Sequence, residues 1–291
     1  MTVKLKVMAS NVDWLQVLVE CKENVKVHIQ PYLKSRKEPQ PDLGTGAGGD
    51  KMKLVDLAAE KAIVETLIKH GISFTLVSEE SGIKVFGATP SDYFVTADPV
   101  DGTTNFTRGL PFYCSSIAVS RKPMLSDVFA GMVADLVHGV TYTALKGQGS
   151  YRDGEKITTS AVTSMEEAVI GLDLNTDKVK EVLPQLKDLI EVTKHIRHFG
   201  ANALELCYVA EGLTDGFIDL RGKIRTTDIA AGFLIIHEAG GIVTTAKNEV
   251  IDLKLDPKQK LKFVASGNPT IHKTVLSLVK SVKSRDLCLR C

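Results

Sequence analysis

The stretch Asp98-Pro99-Val100-Asp101-Gly102-Thr103-Thr104-Asn105-Phe106 decides how this chain is read. It follows Tyr93-Phe94-Val95-Thr96-Ala97, an apolar run with the composition of a buried strand. Two carboxylates then stand three positions apart where that strand should end, and a glycine and two hydroxyls follow at once. Carboxylate oxygens suit hard cations such as Mg²⁺, which usually shares its ligands with substrate phosphate. Gly102 permits close backbone approach to an anion, and the amides of Gly102, Thr103 and Thr104 are placed to point at phosphate oxygens. One reading is therefore a metal–phosphate site. The other is an Asx and glycine turn that closes a strand.

Working outward, Phe74-Thr75-Leu76-Val77-Ser78 is a second short strand, and Glu79-Glu80-Ser81-Gly82 follows it directly. If the two strands lie side by side, Glu79 comes to Asp98 and Asp101. Taken alone, Glu79-Glu80 reads as a solvated surface pair. Upstream, residues 10–33 have apolar positions at helical spacing, with Ser10 and Asp13 as a capping box and Pro31 near the end. Residues 54–70 predict a second helix stopped by Gly71. Asp56 and Glu60 lie near its start, where acids favour the helix dipole. Between these helices, residues 34–50 carry Pro39, Pro41, Gly44, Gly46, Gly48 and Gly49. Gly44-x-Gly46-x-x-Gly49 has the spelling of a dinucleotide-binding turn, but no strand precedes it and no βαβ unit surrounds it. The segment is either a flexible connector or a flap whose Lys34, Arg36 and Lys37 close over an anion.

Downstream, strands are expected at 115–121, 128–135 and 139–145, with turns at Gly147-Gln148-Gly149 and Asp153-Gly154. From about residue 158 strands and helices alternate, which divides the chain into halves 1–157 and 158–291. The second half predicts helices at 177–193, 202–211 and 268–282, and strands at 169–173, 194–199, 217–220, 242–246 and 262–266. Thr227 reads as the N-cap of a buried helix that Asp228 begins. An acid there ordinarily offsets the dipole.

The 291 residues are 44% apolar and 24% charged, ordinary for a soluble globular protein. Thirty-six basic against 35 acidic residues leave +1, so charge offers no argument for nucleic acid or an anionic membrane. No apolar run is long enough for a membrane span, and the lysine-interrupted N-terminus does not read as a signal peptide. A cytoplasmic location is the expectation. Five scattered cysteines argue against a disulfide framework; Cys207 reads as core, and Cys288-x-x-Cys291 as an exposed tail.

Three segments together resemble the signatures of the inositol monophosphatase family, the Mg²⁺-dependent, lithium-sensitive sugar phosphatases. They are Val77-Ser78-Glu79-Glu80-Ser81, Asp98 to Phe106, and Asp228-Ile229-Ala230-Ala231-Gly232 running on to Glu238-Ala239-Gly240-Gly241. The resemblance spans nearly the whole chain in the right order. It implies an α+β fold, an alternating αβαβα layered sandwich, with most metal ligands in the first half and Asp228 in the second. It implies two or three Mg²⁺ ions: Glu79, Asp98 and the Val100 carbonyl at the first, Asp98, Asp101 and Asp228 at the second, and Glu79 with Asp56 at a weaker third. Thr103, supported by Asp56, then orients water, with Glu79 also in the catalytic group. Asp101 and the amides of Gly102 and Thr103 face the substrate. The implied reaction is hydrolysis of a phosphomonoester by metal-activated water, without a covalent intermediate.

Within that family, Leu204-Glu205-Leu206-Cys207-Tyr208-Val209-Ala210 and the run from Asp219 to Asp228 are similar to the archaeal branch that takes both inositol 1-phosphate and fructose 1,6-bisphosphate. Thr227-Asp228 stands where the animal enzymes have Trp-Asp. Arg197, Arg221 and Asn202 become candidates for a second phosphate or for sugar hydroxyls, with a surface ion pair as the other reading of each arginine. A 3′-phosphoadenosine phosphatase is the alternative enzyme, and a non-catalytic sugar-phosphate binder is a third reading that the complete ligand set opposes. The resemblance also implies a homodimer or larger homo-oligomer. Asp101→Asn is expected to abolish turnover and leave the fold intact, on the view that this carboxylate faces the site.

Overall fold

The computed structural model describes residues 12–35, 38, 41–88, 92–176 and 178–279. Ser10, Arg36, Lys37, Pro39, Asp177, Cys288, Cys291 and the expected helix end at 282 lie outside the described residues. Helices α1 (Trp14–Ser35) and α2 (Leu54–Lys69) precede strands β1 (Phe74–Ser78), β2 (Gly82–Phe86) and β3 (Tyr93–Asp101). A short helix α3 (Thr103–Arg108) leads to β4 (Cys114–Ser120), β5 (Val128–Asp135), β6 (Thr141–Leu145), β7 (Gly149–Arg152) and β8 (Glu155–Ile157). Then follow β9 (Val169–Leu172), α4 (Val179–Val192), β10 (His195–Arg197), α5 (Asn202–Glu211) and β11 (Gly216–Asp219). The chain ends with α6 (Thr226–Glu238), β12 (Ile242–Thr244), β13 (Phe263–Ser266) and α7 (Pro269–Leu278).

The strands form two sheets, β2-β1-β3-β4-β5-β6-β7-β8 and β10-β9-β11-β13-β12. Three apolar clusters show how the layers stack. Leu18, Cys21 and Ile63 of α1 and α2 pack on one face of the first sheet with Phe74 and Ile117. Leu206, Cys207, Ala231 and Ile235 of α5 and α6 lie between the sheets, against Val133 and Phe263. Leu186 and Val275 of α4 and α7 cover the outer face of the second sheet. This is the expected αβαβα sandwich. The middle layer is tight because its contacts are small: a Cβ on Gly131 of β5 would stand 3.2 Å from the Ala231 backbone, and one on Gly232 would stand 3.0 Å from Leu206.

Local differences have local causes. α1 continues through Pro31 to Ser35. Asp13 caps it directly, its Oδ1 accepting from the Gln16 amide at 3.1 Å. The segment after Ser78 is not only a turn. It turns back as β2, an edge strand antiparallel to β1, with Ile83 and Val85 exposed. The glycine turn near 147 joins β6 to β7 and that near 154 joins β7 to β8, and β7 and β8 are too brief for a periodic signal. α6 begins one residue before its expected cap, with Arg225 in the cap position and Asp228 third in the helix.

Candidate active site

β1 and β3 run parallel, with Ser78 opposite Ala97, so the residues that follow, Glu79 and Asp98, emerge side by side. Residues three apart on a regular strand face opposite sides. β3 escapes that rule by a bulge: Asp98 pairs with Ser116 and Asp101 with Cys114, three steps against two. Pro99, which lacks an N–H, falls in the bulge, where no ladder bond is demanded. Both carboxylates thereby line one cleft of about 530 Å³. Asp228 arrives from the first turn of α6, where its Oδ2 accepts from the Arg225 amide at 2.9 Å. One oxygen each from Glu79, Asp98 and Asp228 lies within 4.8 Å of the others.

Burial, and then mutual repulsion, lift these acids above the carboxylate range. Asp98 is raised well above it by burial and next by Glu79. Glu79 is pushed up to about 9, by burial and then by Asp228. Asp101 rises to about 7 through burial, opposed by the Ala203 amide that donates to its Oδ2 at 2.6 Å. Asp228 is also raised by burial, with Arg225 opposing. Buried carboxylate oxygens gathered this closely match the ligand set of a hard divalent cation.

Asp56 reaches the same cleft from α2. Its Oδ2 accepts from the Lys53 amide at 3.2 Å, which is the capping role, and its Oδ1 accepts from Thr103 Oγ1 at 3.3 Å. Burial lifts it to about 7. Thr103 Oγ1 also lies 2.9 Å from the Val100 carbonyl. Gly102 has φ +89°, and a Cβ there would stand 3.0 Å from the Phe112 carbonyl and 3.2 Å from Ala201. It turns the chain into α3, whose first amides have no carbonyl a turn before them. Glu60, read as a dipole acid, is buried beneath the Glu79-Glu80 turn and accepts from Ser78 Oγ and the Ser81 amide.

Two expectations need correction. Asp101 is not an exposed carboxylate: it is 5% exposed, and its Oδ2 accepts from the Ala203 amide at the start of α5. Arg197 is exposed on edge strand β10, donates to the neighbouring Ile196 carbonyl at 2.8 Å, and lies outside the cleft lining. Arg221 and Asn202 do line the cleft, beside Asp173, Asn175 and His198. Arg221 is 9% exposed and already engaged: it pairs with Asp219 and, at 2.6 Å, with Asp173. Asn202 Oδ1 is buried and has no hydrogen-bond partner among the described residues.

Sequence reasoning missed Arg225. Its guanidinium pairs with Glu79 Oε1 at 2.6 Å, with Asp50, and with Asp228 Oδ2 at 3.5 Å. The only signal was its place three residues before Asp228. The glycine-rich segment is also a built feature. Residues 44–52 form a tight hairpin with Thr45 bridging Lys51, and the Ala47 and Gly48 amides donate to the carbonyls of Glu80 and Glu79 at 3.0 and 2.8 Å.

A sequence profile described as the inositol monophosphatase family matches residues 13–284. A fructose-1,6-bisphosphatase/inositol-1-monophosphatase of Methanothermobacter thermautotrophicus is 35% identical over 278 residues, covering 92% of this chain and 97% of its own. A bifunctional NADP phosphatase/NAD kinase of Methanococcus maripaludis is 34% identical over 286 residues, covering 91% of this chain and 49% of its own. Among solved structures, an inositol monophosphatase–fructose 1,6-bisphosphatase superposes with a TM-score of 0.81 at 27% identity, over 92% of this chain and 100% of its own. The acid-lined cleft thus sits in a chain that belongs to the inositol monophosphatase family of phosphoric monoester hydrolases.

Proposed function

We propose that this chain hydrolyses inositol 1-phosphate and fructose 1,6-bisphosphate with Mg²⁺. The observation that carries the reading is the convergence of Glu79, Asp98 and Asp228 within 4.8 Å, beside the Thr103–Asp56 contact. The similarity to the Methanothermobacter enzyme supports both substrates. Glu79, Asp98, Asp101, Asp228 and the Val100 carbonyl would hold two Mg²⁺ ions, with a third near Glu79 and Asp56. Bound there, Mg²⁺ neutralises phosphate charge and makes water a stronger acid.

The chain's own groups do the rest. Thr103 Oγ1 has one proton; giving it to Asp56 or to the Val100 carbonyl leaves its lone pairs free to accept from a water and aim it. Asp56, lifted to about 7, takes up a proton near neutral pH. The Gly102 and Thr103 amides and the start of α3 face the phosphate. Asn202 and Asp173, further along the cleft, have the oxygens to hold sugar hydroxyls. The halves 1–157 and 158–291 each supply part of the site, Asp228 being the second half's contribution to the ligands.

A nucleotide phosphomonoester is the second reading, supported by similarity to the NADP phosphatase/NAD kinase of Methanococcus maripaludis. Phosphate release separates the two, measured with Mg²⁺ on inositol 1-phosphate, fructose 1,6-bisphosphate, adenosine 3′,5′-bisphosphate and NADP. Faster turnover of either nucleotide than of both sugars overturns the leading reading. Full activity in excess EDTA overturns the metal-dependent reading.

A further inference from the structure

Arg225 is a cation inserted among carboxylates that the proposed reaction assigns to Mg²⁺. Its side chain is 8% exposed. Every nitrogen of the planar fork is engaged: Nη1 donates to Glu79 Oε1 at 2.6 Å and faces Asp228 Oδ2 at 3.5 Å, Nη2 pairs with Asp50, and Nε donates to the Gly48 carbonyl at 3.0 Å. The last two partners belong to the 44–52 hairpin, and the first two to the acid cluster. Gly48 is shaped to this contact, since a Cβ there would stand 2.8 Å from both Arg225 Nε and Glu79 Cγ. Asp50, by contrast, has a side chain that is 75% exposed, and its ion pair among the described residues is with Arg225.

We propose that Arg225 is an internal counter-ion that holds the metal-free site together and ties the hairpin to it, and that Mg²⁺ displaces it. A guanidinium and a divalent cation drawn to the same oxygens of Glu79 and Asp228 repel one another at a few ångströms. Cation binding therefore moves Arg225 off Glu79. Asp50 and the Gly48 carbonyl lose the guanidinium at that step, so the hairpin keeps its Ala47–Glu80 and Gly48–Glu79 backbone bonds but loosens where Arg225 had braced it. Arg225 thus lowers Mg²⁺ affinity, and it makes hairpin position report on metal loading. It is a positioning residue, not a catalytic one.

This inference rests on the metal-dependent reading of the cleft, and the test separates the two. Mg²⁺ binding is measured by calorimetry on wild type, Asp98→Asn and Arg225→Met, and hydrogen exchange is followed across residues 44–51 with and without Mg²⁺. Wild type should bind Mg²⁺ and Asp98→Asn should not; if wild type shows no binding, the metal reading falls and the counter-ion role with it. Given wild-type binding, Arg225→Met should bind about tenfold more tightly, the loss of one competing ion pair. Its hairpin should exchange fast with or without Mg²⁺, whereas the wild-type hairpin should speed up severalfold only when Mg²⁺ is added. Equal or weaker binding by Arg225→Met, or a hairpin as protected as in wild type, overturns the counter-ion role alone. Should Arg225→Met not fold, Arg225→Lys decides. Lysine keeps the charge but cannot span Glu79, Asp50 and the Gly48 carbonyl, so its hairpin should exchange fast without Mg²⁺; wild-type protection there refutes the tie.

Discussion

Arg221 and Arg225 stand four residues apart, both about nine-tenths buried and both paired to carboxylates at the same cleft. Their partners make them different. Arg221 is held by Asp219 and Asp173, on or beside the strands of the second sheet and away from the acid cluster. Asp219 is fully buried, and its ion pair among the described residues is with Arg221. Arg225 is held by Glu79 and Asp228, two of the three acids whose oxygens converge, and by the exposed Asp50. The lesson is that burial and pairing do not by themselves define a structural arginine. What matters is whether the paired carboxylates have a better claim on another cation.

The largest effect tests the acids themselves. Asp98→Asn should lower kcat for phosphate release by about a thousandfold or more, because it removes the carboxylate that both proposed cation positions share. Retention of even a tenth of wild-type turnover would remove the basis for treating Arg225 differently from Arg221. Thermal melts then compare the arginines directly. Arg221→Met strands two buried carboxylates and should cost about 3–5 kcal/mol, with no recovery when Mg²⁺ is added. Arg225→Met should cost less, and Mg²⁺ should restore much of the loss. Equal costs with equal Mg²⁺ response would erase the distinction.

The pH dependence of the metal-free protein sharpens the same point. Asp101 and Glu79 titrate at about 7 and about 9 when folded, above their values of about 4 in the unfolded chain. The folded state therefore binds more protons than the unfolded state between those limits. The stability these groups contribute is fully present below about pH 4 and is lost as pH rises through about 7 and about 9. Mg²⁺ should reverse the trend by replacing those protons. A melting temperature that climbs from pH 5 to 9 without divalent cations contradicts it. Gly48→Ala has a smaller reach: its methyl should push Arg225 and Glu79 apart and lower metal-free stability by about 1 kcal/mol. Smallest of all, Arg197→Ala should leave turnover within about twofold for either sugar phosphate, since the residue is outside the cleft. A tenfold loss would restore it as a substrate contact.

The pattern of what could be read from the chain follows from how local each feature is. The helices at 14–35 and 54–69 were visible because a buried helix face repeats every three to four residues over many turns. The proximity of Glu79 and Asp98 needed only that two short apolar strands lie side by side, and they do. Strands β2, β7 and β8 were not visible, because strands of three to five residues have too few positions to show alternation. Glu60 and Asp56 both looked like acids at a helix start. Asp56 does serve there, and nothing local showed that its second oxygen meets Thr103.

The sequence by itself determined which atoms are available: a set of carboxylate oxygens proposed as ligands, its order along the chain, and its attachment to strand and helix ends. These are short-range properties of residue type and spacing. Only the tertiary structure decided how those atoms are shared. The bulge that turns Asp98 and Asp101 to one side depends on β4 pairing across it. The saturation of Arg221 depends on Asp173 from a strand end some fifty residues earlier in the chain. The capture of Arg225 depends on a hairpin about 175 residues upstream folding back over Glu79. Contacts between residues so distant in sequence leave no mark on local periodicity, because a side chain's charge reads the same whether its partner is permanent or waiting to be exchanged for a cation.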